Sequence, residues 1–529
     1  MIFLFFLCLC VSVVNSSCVS KPTDLRTVIP ADALVYLETN DLGKAVSAIT
    51  ENKSFQRLAK TKPDTSALNG MKLAVAVTGF QTTEQAVTEE NSVLNFQPRF
   101  VAVAETNGWN YQALSFTENK LGEFINETYG GEVVLETSDK HDGKYFVWTS
   151  QDSRKAYALV RGSLIFFGND EWAIEKCLSV TRGEAENIAR NPKISSLYAD
   201  LLASGYISPD GVAQIANIAG VSLAMRASEE GEVKSFIARV LPEILRKSIT
   251  EMTWTARKTE QGIEDLYVFE TNREVAAVFK ETLGPASAGP ENLADLLPLS
   301  VTTSVTRYSI TNPQIAWRSV LLIAQKQTDT LSGNLIAAFS GSLLEPYGVE
   351  DTEIFLSAIG PQIITARFDG EGDNNVVIAT VKDVTRIKKG IAKEINFSKA
   401  PEKQENADLW RSVNGELAAA FIEGKIILGE TESVLKCLQA GVTVSRFSDG
   451  EISKMASNSN AVAVTVATDF ASAPKLIETL AEKYSGIEPL PSGVVTETRF
   501  NQNGIERRTV SDFGLIGSII EQLGKAAPE

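Results

Sequence analysis

At 529 residues, with 44% hydrophobic and 22% charged residues, the chain has a globular balance and exceeds one ordinary core, so two to four domains are expected. Its formal net charge is −16, which makes nucleic acid and anionic lipid surfaces poor partners. One histidine, His141, serves the whole chain, which argues against Ser-His, Cys-His and zinc hydrolase chemistry and leaves carboxylate-only chemistry open.

The first twenty residues carry no charged side chain. Ile2 to Val14 is an apolar run of about 13 residues, the size of a signal-peptide core and short for a membrane span. Ser16 and Ser17 precede Cys18. The expectation is a signal peptide over 1–17, with Cys18 acylated as the first mature residue. Simple cleavage near Ser16 or Ser17 is the alternative. The polar segment 18–27 reads as a tether, and 28–285 as a first domain.

That domain opens with the strand ALVYLETN. A helix, the strands KLAVAVTGF and RFVAVAE, and a second helix follow. Next come EVVLET and KYFVW, joined by a turn expected at Asp142-Gly143, which leaves His141 an exposed turn residue. YALVRG and SLIFFG form a hairpin around Arg161-Gly162. SLIFFG is apolar at successive positions, so burial on both faces is expected. Gly168 ends it, Asn169 or Asp170 caps a helix, and Ile174, Cys177 and Leu178 share one helix face. A strand, a helix, a hairpin near Gly262 and a last helix complete the domain.

GPASAGPENLADLLP marks a linker, placed at 286–297, before a second domain over 298–529. There FDGEGDNN sets Asp369, Glu371 and Asp373 at alternating positions, the candidate hard-cation loop. Asn374 and Thr380 break the EF-hand pattern, and a plain loop explains the same residues. Further on, ELAAAFI and KIILG form a hairpin around Glu423-Gly424, with Thr431 as the expected cap of the next helix. Ser433 and Lys436 have Ser-x-x-Lys spacing without the companion motifs of penicillin-recognising enzymes, and read as helix surface.

Lys176-Cys177-Leu178 recurs as Lys436-Cys437-Leu438, 260 residues on. Three further matches keep the same order. Their spacing shrinks from about 270 residues at Pro30 and Pro298 to about 240 at Gly262 and Gly504, as loop insertions and deletions would make it. The expected fold is therefore α+β: two tandem homologous domains, each a mainly antiparallel β-sheet with helices packed on one side. Cys177 and Cys437 are expected in the two cores, the alternative being a disulfide between copies.

The Pro-Ala-Asp-Ala-Leu-Val-Tyr-Leu opening after a lipoprotein-like leader, and the Gly-turn hairpin leading to an acidic helix, resemble the bacterial envelope family catalogued as domain of unknown function 3352. That resemblance implies export and a large α+β body, with no activity, cofactor or catalytic residue to carry over. The functional expectation is a lipid-anchored envelope protein facing the periplasm or cell exterior, non-catalytic, without cofactor, acting on an envelope protein or small ligand in binding or assembly. An exported carboxylate-based hydrolase and a hydrophobic-ligand carrier are the alternatives. Trp172, at a position where the other copy has Glu432, is the candidate interface residue, expected near a seam between copies.

Overall fold

The computed structural model describes residues 23–523 apart from 60, 62, 64, 87–91, 195–199, 228–231, 288–291, 300–301, 370–373, 441, 443, 450–459, 470–475, 477–479 and 481–491. Cys18 and the leader lie outside the described residues. Among the described residues ten strands fall in the first half of the chain: β1 Val35–Thr39, β2 Lys72–Ala86, β3 Ser92–Glu105, β4 Val134–Lys140, β5 Gly143–Thr149, β6 Lys155–Arg161, β7 Leu164–Gly168, β8 Leu201–Ile207, β9 Ile249–Thr259 and β10 Gly262–Thr271. Ten more follow: β11 Ser304–Ser309, β12 Ile359–Arg367, β13 Asn375–Val381, β14 Glu402–Gln404, β15 Ala407–Arg411, β16 Leu417–Ile422, β17 Lys425–Glu430, β18 Ala463–Asp469, β19 Ser492–Asn501 and β20 Gly504–Ser511.

These strands make one 20-stranded sheet, antiparallel at every pairing. In the first half the order is β4-β5-β6-β7-β3-β2-β1-β8-β9-β10. In the second it is β14-β15-β16-β17-β13-β12-β11-β18-β19-β20, the same arrangement strand for strand. β10 and β20 join the halves through eight residue pairs. Gly262 and Gly504 open these two strands, and the fifth residue of each, Leu266 and Arg508, are paired with each other. The seam is thus centred on corresponding residues, as in a two-fold interface.

Helices cover both faces, not one. On β3, Val101 and Val103 point to one buried cluster while Ala102 and Ala104 point to the other, because successive side chains alternate across a strand. β7 and β17 are buried on both faces, in keeping with their unbroken apolar runs. The Cys177 helix, Glu171–Thr181, lies on one face of the first half, and the Cys437 helix, Thr431–Leu438, occupies the matching place in the second. Both thiols are free and fully buried. The described residues hold no helix long and apolar enough to cross a membrane.

Several local expectations change. The segment 18–27 is not wholly a tether, because Leu25 is buried in the core inside a 3₁₀ turn capped by Asp24. In the 286–297 linker, Leu293, Ala294 and Leu297 are likewise core residues. The β4–β5 turn is His141-Asp142, both at positive φ (54° and 57°). Gly143 instead starts β5, where a Cβ would sit 2.3 Å from the Val160 carbonyl oxygen. The β6–β7 turn is Gly162-Ser163, whereas Glu423-Gly424 turns β16 into β17 as expected. Asp170 caps the Cys177 helix, accepting from the Trp172 amide, but Glu430 rather than Thr431 caps the Cys437 helix. Its carboxylate accepts from the Glu432 and Ser433 amides at 2.9 and 2.8 Å, satisfying two first-turn donors.

Candidate functional site

A cavity of about 320 Å³ opens on one face of the first half, over β1, β2, β8 and β9. Its floor is Leu37, Leu73, Val75, Ala203 and Trp254, and Leu42 and Ala45 of the helix Leu42–Thr50 form one side. That helix stands where it does because Asp41 accepts from the Lys44 amide at 3.0 Å and the inner residues Leu42, Ala45, Val46 and Ile49 are buried. The roof comes from the far end of the chain. Leu515, Ile516, Ser518 and Ile519 of the helix Gly514–Leu523 close the space. The cavity therefore needs both halves.

Strand alternation keeps charge out of it. Leu37 faces the cavity, so Tyr36 and Glu38 point through the sheet to the opposite core. There the Glu38 carboxylate accepts from the Tyr36 hydroxyl at 3.0 Å and the Ser204 hydroxyl at 3.2 Å. Burial raises the Glu38 pKa against these bonds and the nearby Arg26 charge. The Thr39 hydroxyl donates to the Leu202 carbonyl at 2.7 Å. Leu, Val, Ala, Ile and Trp side chains dominate the wall, which suits an apolar guest.

One acid braces the cavity from the seam. Asp265, on β10, is 1% exposed. One carboxylate oxygen accepts from Trp254 Nε1 at 2.8 Å, and the other accepts from the Leu515 amide at 2.8 Å. Burial nevertheless pushes Asp265 up to about 6. The Asp-Trp pair and its distant helix were missed in the sequence. A Trp and an Asp spaced eleven residues apart across a hairpin were the available signal.

The residues expected from sequence lie elsewhere. Trp172 is 52% exposed, with Lys176 Nζ 4.2 Å above its ring. Its helix packs on β3 and β7, so β2, β1, β8, β9 and β10 intervene before the seam, and the placement near the seam is corrected. Glu371 and Asp373 lie outside the described residues. The Asp369 carboxylate accepts from the Asn374 amide at 3.0 Å, a loop-closing bond. Among the described residues no three His, Cys, Asp or Glu side chains gather as a metal site. His141 is an exposed turn residue, with Nε2 3.7 Å from Glu175. Ser433 is fully buried beside Val434 and Cys437, not on the helix surface. The helices bearing Cys177 and Cys437 contact different sets of strands in different halves, so the two thiols do not pair.

Compared with protein-family models, curated proteins and solved structures, the chain matches none.

Proposed function

We propose that the protein is a non-catalytic binding protein that carries an apolar small molecule or hydrocarbon chain in the cavity over β1, β2, β8 and β9. The observation that carries this reading is an apolar cavity of about 320 Å³, a size typical of small-molecule sites. The hydrolase alternative needs two carboxyls about 5–10 Å apart in one cleft. Glu38, the acid among the described lining residues, has its carboxylate on the other side of the sheet, and Asp265 is a single carboxyl held behind the wall by the Trp254 indole and the Leu515 amide. The test uses the neutral dye N-phenyl-1-naphthylamine. Its fluorescence should rise saturably with the protein, and Ala203→Phe, which fills the floor, should weaken binding at least tenfold. Dye binding unchanged by the filled cavity would sink the proposal.

In the same reading the halves 28–285 and 298–529 are copies of one domain. Their common strand order, the matched Cys helices and the seam centred on Leu266 and Arg508 support it. The body is exported and anchored through lipid on Cys18, a reading supported by the apolar run Ile2 to Val14 followed by Ser16, Ser17 and Cys18. Intact-mass analysis of membrane-extracted protein checks this: a product starting at Ser17 or Cys18 without added mass overturns it.

A further inference from the structure

The helix Gly514–Leu523 belongs to the second half by sequence, yet besides its own β20 it lies on β9 and β10 of the first. Beneath part of it is empty space rather than packed side chains. A helix partly over a cavity forfeits fewer contacts on leaving than one wholly over a filled core, so its docking rests on Ile516 and Ile520, which are buried in the core, and on its edges. The entry turn is one such edge. Gly514 takes φ +59°, and a Cβ there would lie 2.5 Å from Ile263 Cγ2, so the chain reaches the sheet closely at this point. Asn52 Nδ2 donates to the Asp512 carbonyl at 2.8 Å, and the Ser54 hydroxyl donates to the Asp512 carboxylate at 2.7 Å. At the helix start, the Gly514 amide donates to the hydroxyl of Ser511, the last residue of β20, at 3.0 Å. Among the described residues the Leu515 amide bonds to Asp265, on the other half. First-turn amides have no partner inside a helix, so losing that carboxylate leaves a buried donor unsatisfied.

We propose that the helix Gly514–Leu523 is a lid through which the apolar guest enters and leaves, and that Asp265 is its latch. Asp265 is a positioning residue: it holds the lid by the Leu515 amide and the floor by the Trp254 indole in one contact. The proposal rests on the cavity reading above and adds to it a route of access. If the guest passes only when the lid is open, both the association and the dissociation rate constants scale with the open population. A damaged wall would instead speed dissociation alone.

Stopped-flow mixing of the full chain with N-phenyl-1-naphthylamine separates these cases. Asp265→Ala should raise both the association and the dissociation rate constants, each roughly tenfold. Asp265→Asn, which keeps the shape and one acceptor, should fall between and serves if the alanine variant folds poorly. Hydrogen exchange without dye is the second measurement. In the variants the amides of Leu515 to Ile520 should exchange faster, while those of β10 stay protected. Unchanged rates, a rise in dissociation alone, or loss of protection in β10 together with the helix would overturn the latch. If wild-type protein bound no dye, the cavity reading would fall, and hydrogen exchange would still decide the lid.

Discussion

At Asp265, burial outweighs two hydrogen-bond donors, so the folded protein holds its proton up to about pH 6 while an unfolded aspartate releases it near 3.9. Between these values the native state binds more protons than the unfolded state. The contribution of this group to stability is therefore full below the unfolded pKa and is lost as pH rises through about 6. The shift corresponds to about 3 kcal/mol. Asp265→Asn removes the titration and loses one acceptor worth about 1 kcal/mol. Urea unfolding at pH 4.5 and pH 7.5 should show a smaller drop in stability with pH in Asp265→Asn than in wild type. An equal drop in both would contradict this. Cys177 and Cys437 make a second prediction at this scale. Burial pushes both thiols far up, and a thiol rather than a thiolate is a poor nucleophile. Both should resist a small alkylating reagent until denaturant is added. Alanine at either position should cost about 1 kcal/mol or more through lost buried volume.

The elements that matter most to the architecture are β10 and β20. Gly262 and Gly504 stand at opposite ends of their ladder, at φ +138° and +141°. A Cβ on the first would lie 2.3 Å from the Ser511 carbonyl oxygen, and on the second 2.2 Å from that of Phe269. On the face opposite the cavity, the Glu264 carboxylate accepts from Arg508 Nε at 2.7 Å and faces Arg257 at 3.2 Å. Glu497 pairs with Arg499 at 2.7 Å. This row of charges crosses β9, β10, β20 and β19, so the seam is tied by side chains as well as by the ladder. Gly262→Ala and Gly504→Ala should each lower stability by about 2 kcal/mol or more, since strained backbone and a steric clash combine. Gly162→Ala, in a turn with open space around it, should cost about 1 kcal/mol. Urea midpoints of the three variants would test the ranking, and equal losses would speak against a close approach at the seam.

Across the whole molecule, each half lends a helix to the other. Arg273–Thr282 leaves β10 and packs on Pro313–Lys326 and β19, with Phe279 against Phe500 at 5.0 Å between ring centroids. Gly514–Leu523 leaves β20 and packs on β9 and β10. The two halves therefore share a sheet, two exchanged helices and the cavity over β1, β2, β8 and β9. Residues 24–285 and 286–523 made as separate chains should assemble with one copy of each when co-expressed, and pull-down with a tag on either half would detect it. The first half alone exposes the β10 edge and should self-associate, because a bare edge strand invites pairing. A monodisperse, dye-binding first half would refute the dependence of the cavity on the second.

Local features were legible in the sequence because local physics determines them. Alternation and turn residues marked the strands, unbroken apolar runs marked β7 and β17, and helix periodicity put Cys177 and Cys437 in the core. Turn placement slipped by one residue at His141 and at Gly162, because glycine also serves where a strand passes close to a neighbour, as Gly143 does beside Val160. Asp24 and Asn292 look like linker chemistry, but the turns they cap carry Leu25 and Leu293 into the cores. Only the tertiary structure decided that the two halves form one sheet, that helices cover both faces, and that the cavity closes under a helix of the other half. Asp265 and Leu515 are 250 residues apart. No periodicity or spacing spans that distance. Their contact exists because β10 and β20 pair at the seam, which brings the end of one half over the floor of the other.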